Sequence, residues 1–263
     1  MNPPRANWKG FLSLGELSCG VALYTAASQS ERIAFHLLNR KTGHRLHREF
    51  VDSDTGKPVS PDDQVKGYET GKGDYVMLDD EEIAEAVPDS DKRLEIEQFI
   101  ACGEIDTVYF DRPYYLAPSD RASAEAFELI RDGMKRKQVA ALARTVLFRR
   151  LRTVLLRVAD KGLVATTLKF DYEVRPAEDA FADLRKHKID GEMLELATHI
   201  IGTKRGSFDP VGFDDRYEAA LAALVKAKLE GKKLPKPKPA RTTKPSDLME
   251  ALRRSAGGKR KAS

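Results

Sequence analysis

The chain has almost no cysteine. Cys19 and Cys102 are the only two among 263 residues and stand far apart, so they form neither a disulfide framework nor a metal knuckle. Both are expected as buried free thiols. Long apolar runs are also lacking, and nothing approaches the roughly 20 residues of a membrane span. Trp8 and Lys9 occupy the place where a signal peptide carries its apolar stretch. A cytosolic protein is expected. The most informative absence is local: residues 133–159 contain no Asp or Glu, although the chain has 41 acids.

That window holds Lys135, Arg136, Lys137, Arg144, Arg149, Arg150, Arg152 and Arg157, interleaved with Val139, Leu142, Val146, Leu147, Phe148, Val154, Leu155 and Leu156. Charge spaced by core-type residues reads as charge mounted on a folded scaffold, and the commonest large acidic partner is a nucleic-acid backbone. The formal net charge of +4 conceals this. Residues 231–263 carry eleven Lys/Arg against Asp247 and Glu250, which leaves the first 230 residues with 34 basic and 39 acidic groups. The body is weakly acidic, so an anion-binding surface must arise by segregation. Residues 32–48 have Arg32, Arg40, Lys41, Arg45, Arg48 and three of the five His with no acid, while residues 74–97 hold ten acids against Lys92 and Arg93.

Up to about residue 176 the pattern is mainly strand: 11–24, 75–78, 108–116, 139–148, and the pair 153–158 and 163–174 turned by Asp160, Lys161 and Gly162. If residues 149 and 150 lie in a strand, Arg149 and Arg150 point to opposite faces. One helix interrupts, capped by Asp120 or Ser123, with Phe127, Ile130 and Met134 at helical spacing and Lys135 to Lys137 in its last turn. After Pro176 the period becomes helical. Ile189, Met193, Leu196, Ala197, Ile200 and Ile201 form one stripe, and Phe213, Tyr217, Ala220, Leu221, Leu224 and Val225 repeat it. These amphipathic helices need an apolar surface, either their own barrel or a second copy of the chain. Beyond Gly231 comes a proline-spaced basic linker, then a short island at residues 246–255 with Leu248, Met249 and Leu252 on one edge, followed by Arg253 and Arg254.

Catalytic chemistry finds no support. Gly67, Gly71, Lys72 and Gly73 have the wrong spacing for a phosphate loop. Asp52, Asp54 and Gly56 misplace the glycine of a calcium loop and read better as a hairpin turn. His44 and His47 lack acidic or thiol partners and sit among Lys41, Arg45 and Arg48, which excludes a metal pair. The acids from Asp79 to Glu85 suit a solvated helix start better than a nuclease centre. No metal or cofactor is expected, and binding remains.

Six ordered blocks carry a resemblance: Asn7-Trp8-Lys9-Gly10; Ser18-Cys19 with Val21-Ala22-Leu23-Tyr24; Phe35-His36-Leu37-Leu38-Asn39; Gln64-Val65-Lys66-Gly67-Tyr68-Glu69; Asp111-Arg112-Pro113-Tyr114-Tyr115-Leu116-Ala117-Pro118; and Gly162-Leu163-Val164-Ala165-Thr166-Thr167-Leu168. Together they resemble the bacterial Ku proteins of DNA end joining, over roughly residues 5–230. Gly20 stands where that pattern usually has proline.

The resemblance implies a mixed, mainly β fold: a Ku-type antiparallel β-barrel with a bridging arch over residues 1–176, the arch at about 40–72. A C-terminal helical arm at 177–230 and a flexible basic tail at 231–263 follow. It implies a homodimeric ring that threads onto double-stranded DNA ends without sequence preference, in the cytoplasm at the nucleoid. It further implies recruitment of the multifunctional ATP-dependent end-joining DNA ligase through Leu248, Met249, Leu252, Arg253 and Arg254. The DNA channel would be lined by Arg32, Arg40, Lys41, Arg45, Arg48, Lys135, Arg136, Lys137, Arg144, Arg149, Arg150 and Arg152. A ring must hold any sequence, so contacts should go to phosphates. The residues alone also admit a general double-stranded nucleic-acid binder without end specificity.

Overall fold

The structure is a computed structural model that describes residues 5–28, 30, 32–86, 92–185 and 187–232. Most of the basic linker, and the island bearing Leu248, Met249, Leu252, Arg253 and Arg254, lie outside the described residues. Two compact units form, and Arg32–Phe35 joins the second while the rest of the chain to Pro176 makes the first.

The first unit opens with β1 (Trp8–Leu14) and β2 (Leu17–Thr25), which pair antiparallel around a tight turn at Gly15, φ +56°. The expected single strand over 11–24 is therefore a hairpin. Glycine supplies the left-handed conformation at no steric cost, and Leu14 lands opposite Leu17. After a long excursion containing β3 (Lys66–Gly71), β4 (Asp74–Leu78) and α1 (Asp80–Ala86), the chain returns as β5 (Arg93–Ala101) and β6 (Phe110–Pro118). Then come α2 (Ala124–Lys137), β7 (Val139–Leu147), β8 (Arg150–Ala159) and β9 (Gly162–Leu168).

Seven strands close into a barrel in the order β1-β2-β6-β9-β8-β7-β5, and β3 pairs with β4 in a separate two-stranded sheet. Every junction in the barrel is antiparallel except the closing one. There β1 runs parallel to β5 over three pairs, Phe11 with Arg93, Leu12 with Leu94 and Ser13 with Glu95. Leu12, Leu23, Leu94, Leu116, Leu147, Leu156 and Leu163 are buried in one core. Antiparallel register puts paired residues on the same face, so Ala141 with Leu156, Ala143 with Val154, Thr145 with Arg152 and Leu147 with Arg150 all belong to the inner face.

One end of the barrel is stopped by α2. Phe127, Ile130 and Met134, at spacings of three and four, go fully into the core, each worth about 1.5–3 kcal/mol of burial. Ser123 occupies the position before the helix, but its hydroxyl does not cap it. It accepts instead from the Gly20 amide at 3.0 Å, while Asp120 accepts from the Ser123 amide at 2.8 Å. A proline at position 20 would offer no such donor, and a side chain there would meet Ser119 Oγ at 2.5 Å. Glycine is what this site demands.

The acidic stretch hides β5. Leu94 and Ile96 are buried while Arg93, Glu95 and Glu97 face outward, a strand alternation that reads along the chain as charge alone. Cys19 is buried as expected, but Cys102 is exposed in the turn after β5; both are free thiols. Asp52 accepts from the amides of Asp54 and Thr55 and from the Thr55 hydroxyl, which holds its carboxyl below the usual range. With Gly56 at φ +66° and Val51 bridged to Pro58, this is the hairpin turn the spacing suggested.

The second unit contains α3 (Ala177–Phe181), α4 (Gly191–Thr203) and α5 (Arg216–Leu229). Asp190 and Asp215 cap the two longer helices through their side chains, and Glu218 of α5 accepts from the Ile33 amide at 3.0 Å. Helix α4 has no buried residue, and Ile201 is 70% and Leu229 84% exposed. Both apolar stripes keep exposed residues, Ile189 and Ile201 on the first and Phe213 and Tyr217 on the second, while Met193, Leu196, Ile200 and Leu221 are half-buried.

Candidate nucleic-acid interface

The basic window at 133–159 is one run in sequence and several places in space. Lys135, Arg136 and Lys137 are exposed on the last turn of α2, at the stopped end of the barrel. Strand β7 then carries the chain to the opposite end, ~25–30 Å away at 3.3 Å per residue. There Phe148 and Arg149 form the two-residue turn into β8. Arg149 is thus in a turn and not in a strand, which replaces the alternation expected for Arg149 and Arg150. Midway, Arg144 is exposed on the outer face and ion-paired with Glu97 Oε2 at 3.2 Å. Arg157 lies over the Phe110 ring at 5.2 Å.

What the structure brings together is a cluster at the open end. Arg150 sits at the rim opposite Leu147, and Arg152 is on the inner face opposite Thr145. Arg152 is half-buried, and its Nη1 lies 3.7 Å from Asp111 Oδ2. The same Asp111 carboxylate accepts from Thr167 Oγ1 at 3.1 Å, and Thr167 in turn accepts from the Arg112 amide at 3.1 Å. The side chains of Arg112 and Arg150 are exposed with no acidic partner among the described residues, so guanidinium groups outnumber the Asp111 carboxylate at the rim. Two side-chain atoms of the inner face, Arg152 Nε and Thr145 Oγ1, are buried without a hydrogen-bond partner, each a cost of about 1–3 kcal/mol until something pairs it.

This mouth is hollow. A cavity of about 630 Å³ is lined by Asn7, Thr25, Ala27, Arg112, Pro113, Tyr114 and Phe148. A smaller one of about 190 Å³ shares Arg112, Tyr114 and Phe148 and reaches Asp111, Arg152 and Thr167. Both residues of the turn have left-handed backbones, Phe148 at φ +54° and Arg149 at φ +64°. That geometry favours Asn-Gly, and bulky residues held there are strained. The Phe148 ring is 55% exposed and 6.3 Å from Tyr114.

The excursion between β2 and β5 carries the other basic stretch. Arg40, Lys41, Arg45 and Arg48 are all exposed, around a small turn in which Leu38 bridges Arg45. None of them has an acidic partner among the described residues. Apolar residues of the same arm are exposed too, Leu37 at 66% and Phe50 at 70%. Further along, Lys66 donates to Asp80 at 2.7 Å, which with a smaller pull from Arg149 holds the Asp80 carboxyl below its ordinary range. The acids from Asp79 to Glu85 do form a solvated helix start, with the Asp79 amide on Glu82. Arg32 is exposed within the second unit. Arg112 is the rim residue that the charge pattern missed. It stands alone between Asp111 and Pro113, and only the pairing of β6 with β9 brings it beside Arg152.

Comparison with known proteins adds an independent line. The family model Ku, described as the Ku70/Ku80 beta-barrel domain, matches residues 13–196. A non-homologous end joining protein Ku of Cereibacter sphaeroides is 61% identical over 254 residues, covering 96% of this chain and 95% of that protein. Proteins of the same name from a Bradyrhizobium species and from Allorhizobium ampelinum are 43% and 37% identical. They are covered over 89% and 96% of their own lengths, and each matches 97% or more of this chain.

Proposed function

This chain belongs to the Ku family, and from that premise we propose that it is a noncatalytic double-stranded DNA end-binding protein of bacterial non-homologous end joining. Two copies form a ring that a broken end enters. The observation that carries this reading is the arm between β2 and β5. It holds four exposed cations with no acidic partner among the described residues, Arg40, Lys41, Arg45 and Arg48, alongside exposed apolar residues such as Leu37 and Phe50. Unpaired cations suit a phosphate backbone, and apolar surface left bare in one copy suits a second copy. The exposed residues of the α4 and α5 stripes, such as Ile201 and Tyr217, supply further apolar area of the kind a homodimer buries.

A ring predicts topology-dependent binding. With linear and covalently closed circular duplex of one sequence, retention after a salt challenge should favour the linear form at least tenfold, since enclosure survives screening and surface contact does not. Equal retention of both forms would reject the ring.

The basic tail recruits the ATP-dependent end-joining ligase through Leu248, Met249, Leu252, Arg253 and Arg254. Removing residues 246–263 should leave end binding intact and abolish stimulation of that ligase. Retained stimulation would assign the contact elsewhere.

A further inference from the structure

The open mouth of the barrel has no task in a clamp that touches only duplex phosphates, yet it is built like a ligand site. It is concave, and its volume of about 630 Å³ lies in the range of small-molecule pockets; a duplex cannot enter it. Its lining is aromatic from Tyr114 and Phe148 and cationic from Arg112, and the smaller cavity that shares these three residues adds Arg152 and Asp111. Two inner-face polar atoms, Arg152 Nε and Thr145 Oγ1, are buried with nothing to bond. Phe148 is exposed at the rim on a left-handed backbone, a conformation that persists where something other than stability selects it.

We propose that this mouth binds one unpaired nucleotide at a DNA end, its base laid against Phe148 and Tyr114 and its phosphate held by Arg112 and Arg152. The chemistry matches part by part. Every base has a face that stacks on an aromatic ring without regard to sequence, and a guanidinium presents the planar fork that a phosphate accepts. Asp111 holds Arg152 only loosely, at 3.7 Å, so an incoming phosphate competes with a weak pair, while Arg112 has no acidic partner among the described residues. The site would let a protein indifferent to sequence distinguish a blunt end from one with a single-stranded tail. This inference rests on the DNA-end reading above and extends it to the shape of the end.

The test uses the full chain and three linear duplexes: blunt, with a short single-stranded tail, and with the same tail lacking its bases. The tailed duplex should bind about tenfold tighter than the blunt one, and the baseless tail should keep only a minor part of that gain. Phe148→Asn keeps a residue that tolerates the left-handed turn. Its tailed-to-blunt ratio should fall to about one, while Phe148→Tyr should keep it. Arg112→Gln should remove the residue of gain that the baseless tail retains. Thermal unfolding of each variant checks the fold. A wild-type ratio of one, or a ratio that survives Phe148→Asn, overturns the mouth as a nucleotide site and leaves end binding standing. Failure of every linear duplex to bind overturns both readings together.

Discussion

Replacing Arg40, Lys41, Arg45 and Arg48 together by alanine will flatten the salt dependence of DNA binding. Each phosphate neutralised contributes a slope of about 0.9 in log K against log salt, so four contacts contribute about 3.6 per protomer. Across a fourfold rise in salt, that amounts to about 150-fold of affinity that the variant no longer loses, and at low salt it should bind correspondingly more weakly. All four residues are exposed and none is tied to an acid among the described residues, so folding should change by no more than about 0.5 kcal/mol per substitution. Titration at several salt concentrations reads the slope directly. An unchanged slope would remove the arm from the DNA path. The same measurement with Lys135, Arg136 and Lys137 replaced separates the two ends of the barrel, because those three sit at the stopped end, away from the rim arginines.

The second large effect is on the fold. Gly10 lies in β1 where a Cβ would overlap the Lys92 carbonyl and the Trp8 ring. That carbonyl accepts from the Phe11 amide at 2.8 Å, at the parallel seam that closes the barrel. Gly10→Ala therefore sets a methyl group against a hydrogen bond the barrel needs. One side can move only by parting β1 from β5. A loss of about 3 kcal/mol or more is expected, beyond ordinary overpacking, and denaturant unfolding will measure it. Near-normal stability would mean that the seam is slack. The Trp8-Lys9-Gly10 block that marked the resemblance thereby acquires a physical reason: the indole lies over the one residue small enough to let the seam close.

How far the sequence could be read depended on which forces act locally. Helix α2 was legible because Phe127, Ile130 and Met134 recur at the helical period and Lys135 to Lys137 suit its carboxyl end. Strands β6, β7 and β9 were legible from apolar density. Strand β5 was not, since Glu95 and Glu97 occupy its outer face and only Leu94 and Ile96 report the core. Strand β3 has no buried residue at all, so no hydrophobic pattern was there to find. The basic window was legible as charge and illegible as a surface. Barrel register sends Arg144 outward to Glu97, Arg152 inward beside Asp111, and Lys135 to the far end, and register is a property of closure that no window of residues contains. Arg112 escaped for the same reason.

The parallel seam also governs how the molecule is made. Strand β1 is the first barrel strand in chain order, yet its partner β5 follows only after roughly 80 intervening residues, so closing that loop costs on the order of 4 kcal/mol of chain entropy. The N-terminal hairpin must wait with both edges unpaired while the arm is produced; three residue pairs with β5 then seal one edge and β6 covers the other. Late, non-local closure of this kind makes for slow folding. It also means that the arm leaves from β2 and returns into β5, the two strands that flank β1, so tension applied to the arm is carried across β1 and its three-pair seam.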